Sequence, residues 1–140
     1  MEIKNNDATR NRPYGERVLD APAVLIHLPQ YIQMIREEKA WEQNDRNGIT
    51  VFKSDELSLV VTCLKKGAEL EDVHTDGYSS LFVIAGSLRS QSGNDEKQIG
   101  AGDVLVFHPQ ITYSILAEEE SSFLLSHYAS DNNNGTNKFI

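Results

Sequence analysis

Apolar residues along this chain change their spacing once, near residue 49. Upstream, Leu28, Ile32 and Ile35 recur at i, i+4 and i+7 with Tyr31 beside them, which is one stripe along a helix. Pro29 suits a first helical turn, where its missing N–H would be unpaired in any case. Glu37, Glu38 and Lys39 fill the wet face, and Asn47-Gly48 is the breaker. The spacing predicts one helix from about Pro29 to Gln43, within a helical segment 21–48. Its stripe is too narrow for a fully buried helix and too apolar for a free one, so it should dock on the outside of the rest of the fold.

From 49 to 130 the period is two. Ile49 to Lys53 is a short β-type run, and Leu57, Leu59, Val61 and Cys63 alternate with Ser58, Val60, Thr62 and Leu64. Similar runs follow at Ser79–Leu88, Asp103–His108, Tyr113–Ala117 and Ser122–Tyr128. Turn clusters separate them at Lys66-Gly67, Asp76-Gly77, Ser92–Asp95, Gly100–Gly102 and Glu118–Ser121, and Glu69–Asp76 reads as an acidic loop. Many short strands with no helix between them predict an antiparallel sandwich or closed barrel, not a parallel α/β sheet. Residues 1–20 are polar and read as an irregular arm, and 131–140 as a low-complexity, mobile tail.

At 140 residues this is one domain. Its one cysteine, Cys63, excludes an internal disulfide and, mid-strand among apolar neighbours, reads as a buried inert thiol. Charge is uneven: residues 1–54 carry eight basic and eight acidic side chains, net zero, and 55–140 carry five basic and thirteen acidic, net −8. A negative barrel repels phosphate, so neither nucleic acid nor an anionic membrane surface is an expected partner. No apolar run approaches the roughly 18 residues of a membrane span, and the first residues lack the apolar centre of a signal peptide. A cytoplasmic location is the expectation.

The stretch Gly67 to Gly86, ending Leu81-Phe-Val-Ile-Ala-Gly86-Ser-Leu, and the later Gly100-Ala-Gly102-Asp103-Val-Leu-Val resemble the two sequence motifs of the cupin superfamily. The likeness covers about residues 57–128. It implies a mostly β fold, a cupin-like double-stranded β-helix or jelly-roll barrel, here with one N-terminal helix packed outside. The family's first motif carries His-x-His and a Glu, and its second carries a further His, which together can hold a metal. Counting back from Gly86, the Glu position holds Ser79 and the first histidine falls at or near His74, with Asp76 as a possible second ligand. The second motif's His position holds Tyr113, or Ser114 if the alignment slides by one to match Pro109. Iron, manganese, nickel or zinc need three or four N or O donors, so no metal and no cofactor is expected here.

The residues left at those positions, His74, Asp76, Ser79 and Tyr113, are the candidate ligand-binding set. With Leu81 and Val83, Ser79 and Tyr113 would line an interior suited to a small neutral or mildly polar molecule. The expected protein is a small-molecule-binding or structural module rather than an enzyme. The alternative is a cupin enzyme of dioxygenase, isomerase or epimerase type that uses His74, either with a metal or with Tyr113 as acid. His108 reads as a strand-end residue, and His127, in step with Phe123 and Leu125, as a satisfied, half-buried histidine. Exposed strand edges, and the apolar Val18, Leu19, Val24, Leu25 and Ile26 of the 1–27 stretch, point to a homodimer.

Overall fold

The computed structural model describes residues 4–6 and 17–129. In chain order the elements are β1 (Lys4–Asn6), β2 (Arg17–Asp20), α1 (Leu28–Glu37), α2 (Lys39–Gln43), β3 (Arg46–Lys53) and β4 (Leu57–Leu64). There follow β5 (Glu69–His74), β6 (Ser79–Ala85), β7 (Ser87–Ser92), β8 (Asp95–Gly100), β9 (Val104–Phe107), β10 (Thr112–Ala117) and β11 (Ser121–Tyr128). One sheet has the order β3-β4-β11-β6-β9 and the other β5-β10-β7-β8, with every pairing antiparallel. This is a mostly β jelly-roll barrel, as the alternation predicts. The β7–β8 hairpin turns in two residues, with Gly93 at φ 55° in the first turn position, where a II′ turn demands a positive φ.

Two apolar clusters hold the sheets. Between them lie Leu64, Leu81, Val83, Leu88, Tyr113, Ile115, Ala117 and Phe123, all nearly or wholly buried. The second cluster sits outside the larger sheet, where Ile35 and Trp41 cover Ile49, Val51, Val61 and Cys63. The helical stripe therefore docks as its spacing predicts. Burial pushes the Cys63 thiol up to about 11, which makes it inert. Among the described residues no helix is long and apolar enough to cross a membrane.

Four expectations need correction. Glu69–Asp76, read as an acidic loop, forms strand β5 as far as His74. The single helix is two, broken where Glu38 adopts φ −80° and ψ 150°. In an unbroken helix Ile35 and Trp41, six residues apart, would point about 120° away from each other, and the break lets both reach the sheet. Asn47-Gly48 is not a loop breaker but part of β3. The Asn47 side-chain amide donates to the Ile35 carbonyl at 3.1 Å and to Glu38 Oε1 at 2.8 Å, tying the helix end to the strand. Finally, the 1–20 arm is not irregular throughout, because β1 pairs with β2. The 131–140 tail lies outside the described residues.

Candidate functional site

Strand parity builds a polar row at one end of the barrel. On β4 the inward side chains are Leu64, Thr62, Val60 and Ser58; on β11 they are Phe123, Leu125 and His127; on β6, Val83, Leu81 and Ser79. The ladders align Ser58 with His127, His127 with Ser79, and Ser79 with Phe107 of β9. Deeper rows are apolar, such as Val60, Leu125, Leu81 and Leu105. Gly77 helps fix this end: a Cβ there would collide with the Tyr128 carbonyl, and the Tyr128 amide donates to the Tyr78 carbonyl at 2.9 Å. The β5–β6 loop is thereby pressed onto the end of β11, beside His127.

Tyr113 enters the row from β10 of the facing sheet. Its ring stacks on Phe107 with centroids 3.8 Å apart and planes 5° from parallel. Its hydroxyl and Ser79 Oγ share a buried hydrogen bond of 2.8 Å. Burial raises the Tyr113 pKa, with the Ser79 bond opposing, so the phenol stays neutral. Beside this pair, His127 Nε2 is buried and has no hydrogen-bond partner among the described residues. Burial lowers the His127 pKa, so its imidazole is neutral at pH 7. Two weak acids and a base thus face a row with no fixed charge.

The structure brings Ser79 and Tyr113 together but leaves His74 and Asp76 apart from them. Counting in twos from the inward Leu70 would place Asp72 and His74 inside as well. A β-bulge intervenes: across β10, Ile115 faces Leu70 while Tyr113 faces Val73, so β5 holds one extra residue. Asp72 takes up the turn at φ 53°, and its amide donates to Ser114 Oγ at 3.2 Å. Parity shifts by one. Val73 packs inward and His74 points out, where its Nδ1 meets Thr112 Oγ1 at 3.0 Å. Asp76 is 3.9 Å from His74 Nε2 and accepts from Gln110 Nε2 at 3.3 Å. The choice between Tyr113 and Ser114 is also settled, since Ser114 faces away from the interior and serves the bulge.

The described residues do not fit a barrel metal. Among them no three His, Cys, Asp or Glu side chains come together. His108 does not converge with His74 and Asp76, and its ring lies 5.0 Å from that of Tyr78. At two of the family's ligand positions stand hydroxyls bonded to each other.

This barrel has the same fold as solved cupin barrels. No family profile matches the chain and no curated protein sequence is significantly similar to it. Among solved structures it is similar to a cupin superfamily protein from Desulfitobacterium hafniense, at 13% identity and TM-score 0.60, over 62% of this chain and 80% of that one. It is also similar to a cupin 2 conserved barrel domain protein from Leptotrichia buccalis, at 18% identity and TM-score 0.63, over 75% of this chain and 50% of the other. A salicylate 1,2-dioxygenase from Pseudoaminobacter salicylatoxidans shares the fold at 16% identity and TM-score 0.55, over 60% of this chain and 27% of that one. Uncharacterised proteins and enzymes thus share this scaffold, and likeness at this level carries the fold alone.

Sequence reasoning missed three members of the row, Ser58, Phe107 and His127. Phe107 carried no signal beyond its strand. His127 did, because it continues the Phe123, Leu125 parity onto the inner face; the expectation that it is satisfied is corrected, since its Nε2 has no partner among the described residues.

Proposed function

We propose that this chain is a binding module that takes a small uncharged molecule into the polar end of its barrel, without a metal. The observation that supports this reading is the buried Ser79–Tyr113 hydrogen bond at 2.8 Å, set beside the unpartnered Nε2 of His127 in a row with no Lys, Arg, Asp or Glu. A guest hydroxyl donates to His127 Nε2 and exchanges bonds with the Ser79 and Tyr113 hydroxyls. An anion finds no cation there, and a cation no carboxylate, so burial disfavours either. The aromatic pair Phe107 and Tyr113 offers an apolar wall to the rest of the guest. An enzymatic reading through His74 finds no support in this geometry, because that imidazole faces away from the row.

The test is thermal unfolding with benzyl alcohol, cyclohexanol and benzoate, each at about 1 mM, since a ligand bound only by the folded state raises the melting temperature. The two alcohols should stabilise the protein saturably and benzoate should not, and Ser79→Ala with Tyr113→Phe should abolish the effect. Stabilisation by manganese, nickel or zinc ions instead of the alcohols, or by none of these, would overturn the reading.

A further inference from the structure

The polar groups of the inner row are shut away from solvent. Ser79 and Tyr113 are each 1% exposed, and His127 Nε2 is buried. A guest reaches them only if part of the barrel moves, and the parts differ in how they are held. Strands β4, β11 and β6 are joined ladder to ladder, and central strands of this kind open at close to the cost of global unfolding.

Two segments cross between the sheets at this end: residues 75–78, from β5 to β6, and residues 108–111, from β9 to β10. The first is pinned to the larger sheet. The Tyr128 amide donates to the Tyr78 carbonyl at 2.9 Å, and Gly77 lies so close to Tyr128 that a Cβ would collide. The second is fastened more lightly, and to the first. The Gln110 amide donates to the Thr75 carbonyl at 3.0 Å, and Gln110 Nε2 donates to Asp76 Oδ1 at 3.3 Å. The His108 ring lies 5.0 Å from that of Tyr78, and Pro109 has no N–H to add.

Gln110 is also strained. Its φ is 69°, in the left-handed region, which a residue with a Cβ keeps only when its surroundings hold it there. Once its bonds to Thr75 and Asp76 break, the backbone is free to relax to a negative φ. The crossing therefore has two states, latched and strained or released and relaxed. It also joins Phe107 to Thr112, just before Tyr113, and so bridges the two stacked rings of the row.

We propose that residues 108–111 are a lid over the polar row, latched by Gln110 on Thr75 and Asp76, and that a guest enters when the latch opens. This rests on the reading of the row as a binding site, but the lid itself is testable with no guest present.

Native-state hydrogen exchange and thiol labelling of the full chain provide the test. The Gln110 amide should exchange at least about tenfold faster than the Val83 amide, which is bonded to the Asp103 carbonyl in the larger sheet. Asp76→Ala, at an exposed position, should speed Gln110 exchange by about two- to tenfold, the share of one hydrogen bond, and leave Val83 unchanged. In a Ser79→Cys variant the introduced thiol should react with iodoacetamide faster than the wholly buried Cys63, which reports global opening. Adding Asp76→Ala should raise that rate by the same factor as Gln110 exchange. Asp95→Ala, which removes the ion pair with Lys97 on the β7–β8 hairpin, should change neither rate. Gln110 exchanging only as fast as Val83 overturns the proposal, and so does labelling at position 79 that Asp76→Ala leaves unchanged. Both rates behaving as expected in a protein that binds neither alcohol would support the lid and count against the binding reading instead.

Discussion

Two histidines near strand ends met opposite fates. His127 on β11 faces inward beside the Ser79–Tyr113 pair, half-buried, with a buried Nε2 that no described group satisfies. His74 on β5 faces outward, bonded to Thr112 at an exposed site. One extra residue in β5 accounts for the difference. Without the Asp72 bulge, the period of two would carry His74 inside, where the family resemblance expects a ligand. A single-residue insertion in a strand thus exchanges the inner and outer faces for everything beyond it.

The largest effect that would break this comparison comes from Tyr113. Tyr113→Ala removes a fully buried ring stacked on Phe107 and should cost about 3–5 kcal/mol in denaturant unfolding. His74→Ala should cost less than about 0.5 kcal/mol, and equal losses would show that the inner row is no more structural than the outer face. Next, Ser79→Ala leaves the Tyr113 hydroxyl buried without a partner, at about 1–3 kcal/mol. Thr112→Ala, which removes the corresponding partner of His74, should again stay within about 0.5 kcal/mol.

A pH series sharpens the comparison further. Burial holds the folded pKa of His127 below the ordinary 6.5. Between that depressed value and 6.5 the unfolded chain binds the proton and the folded chain does not, so stability is lost as pH falls below about 6.5. His127→Leu should flatten that limb of the stability–pH curve. A limb of the same slope in the variant would mean that this imidazole is not buried in the folded state. The smallest effect is at the bulge itself. Asp72→Gly relieves a positive φ and should add up to about 1 kcal/mol, while Asp72→Val should subtract, since a β-branched side chain resists that conformation. A stabilising valine would mean that the bulge is absent in solution.

Much of this architecture was legible in the residues. Alternation from Leu57 onward, turn clusters between the runs and the absence of intervening helices specify antiparallel strands, because a strand with one face in a core must place apolar side chains every second residue. The Leu28, Ile32, Ile35 stripe likewise specified an outside helix, though not its break at Glu38, which serves contacts that Ile35 and Trp41 make with β3 and β4. Ser79 and Tyr113 were reachable by counting along the motifs, and the structure joins them through one hydrogen bond.

The sequence by itself determined the strands, the barrel class and the hydroxyls that stand where metal ligands are expected, because these depend on local periodicity and on residue identity. Only the tertiary structure decided which histidine faces the interior. The acidic run Glu69 to His74 does not alternate visibly, and its bulge exists because Ser114 and the register of β10 hold Asp72 in place. Likewise, the row of Ser58, His127, Ser79 and Phe107 draws on four strands spread over seventy positions of chain, Ser58 to His127. No local pattern records such an alignment, because it is set by pairings between segments that meet only when the sheets close.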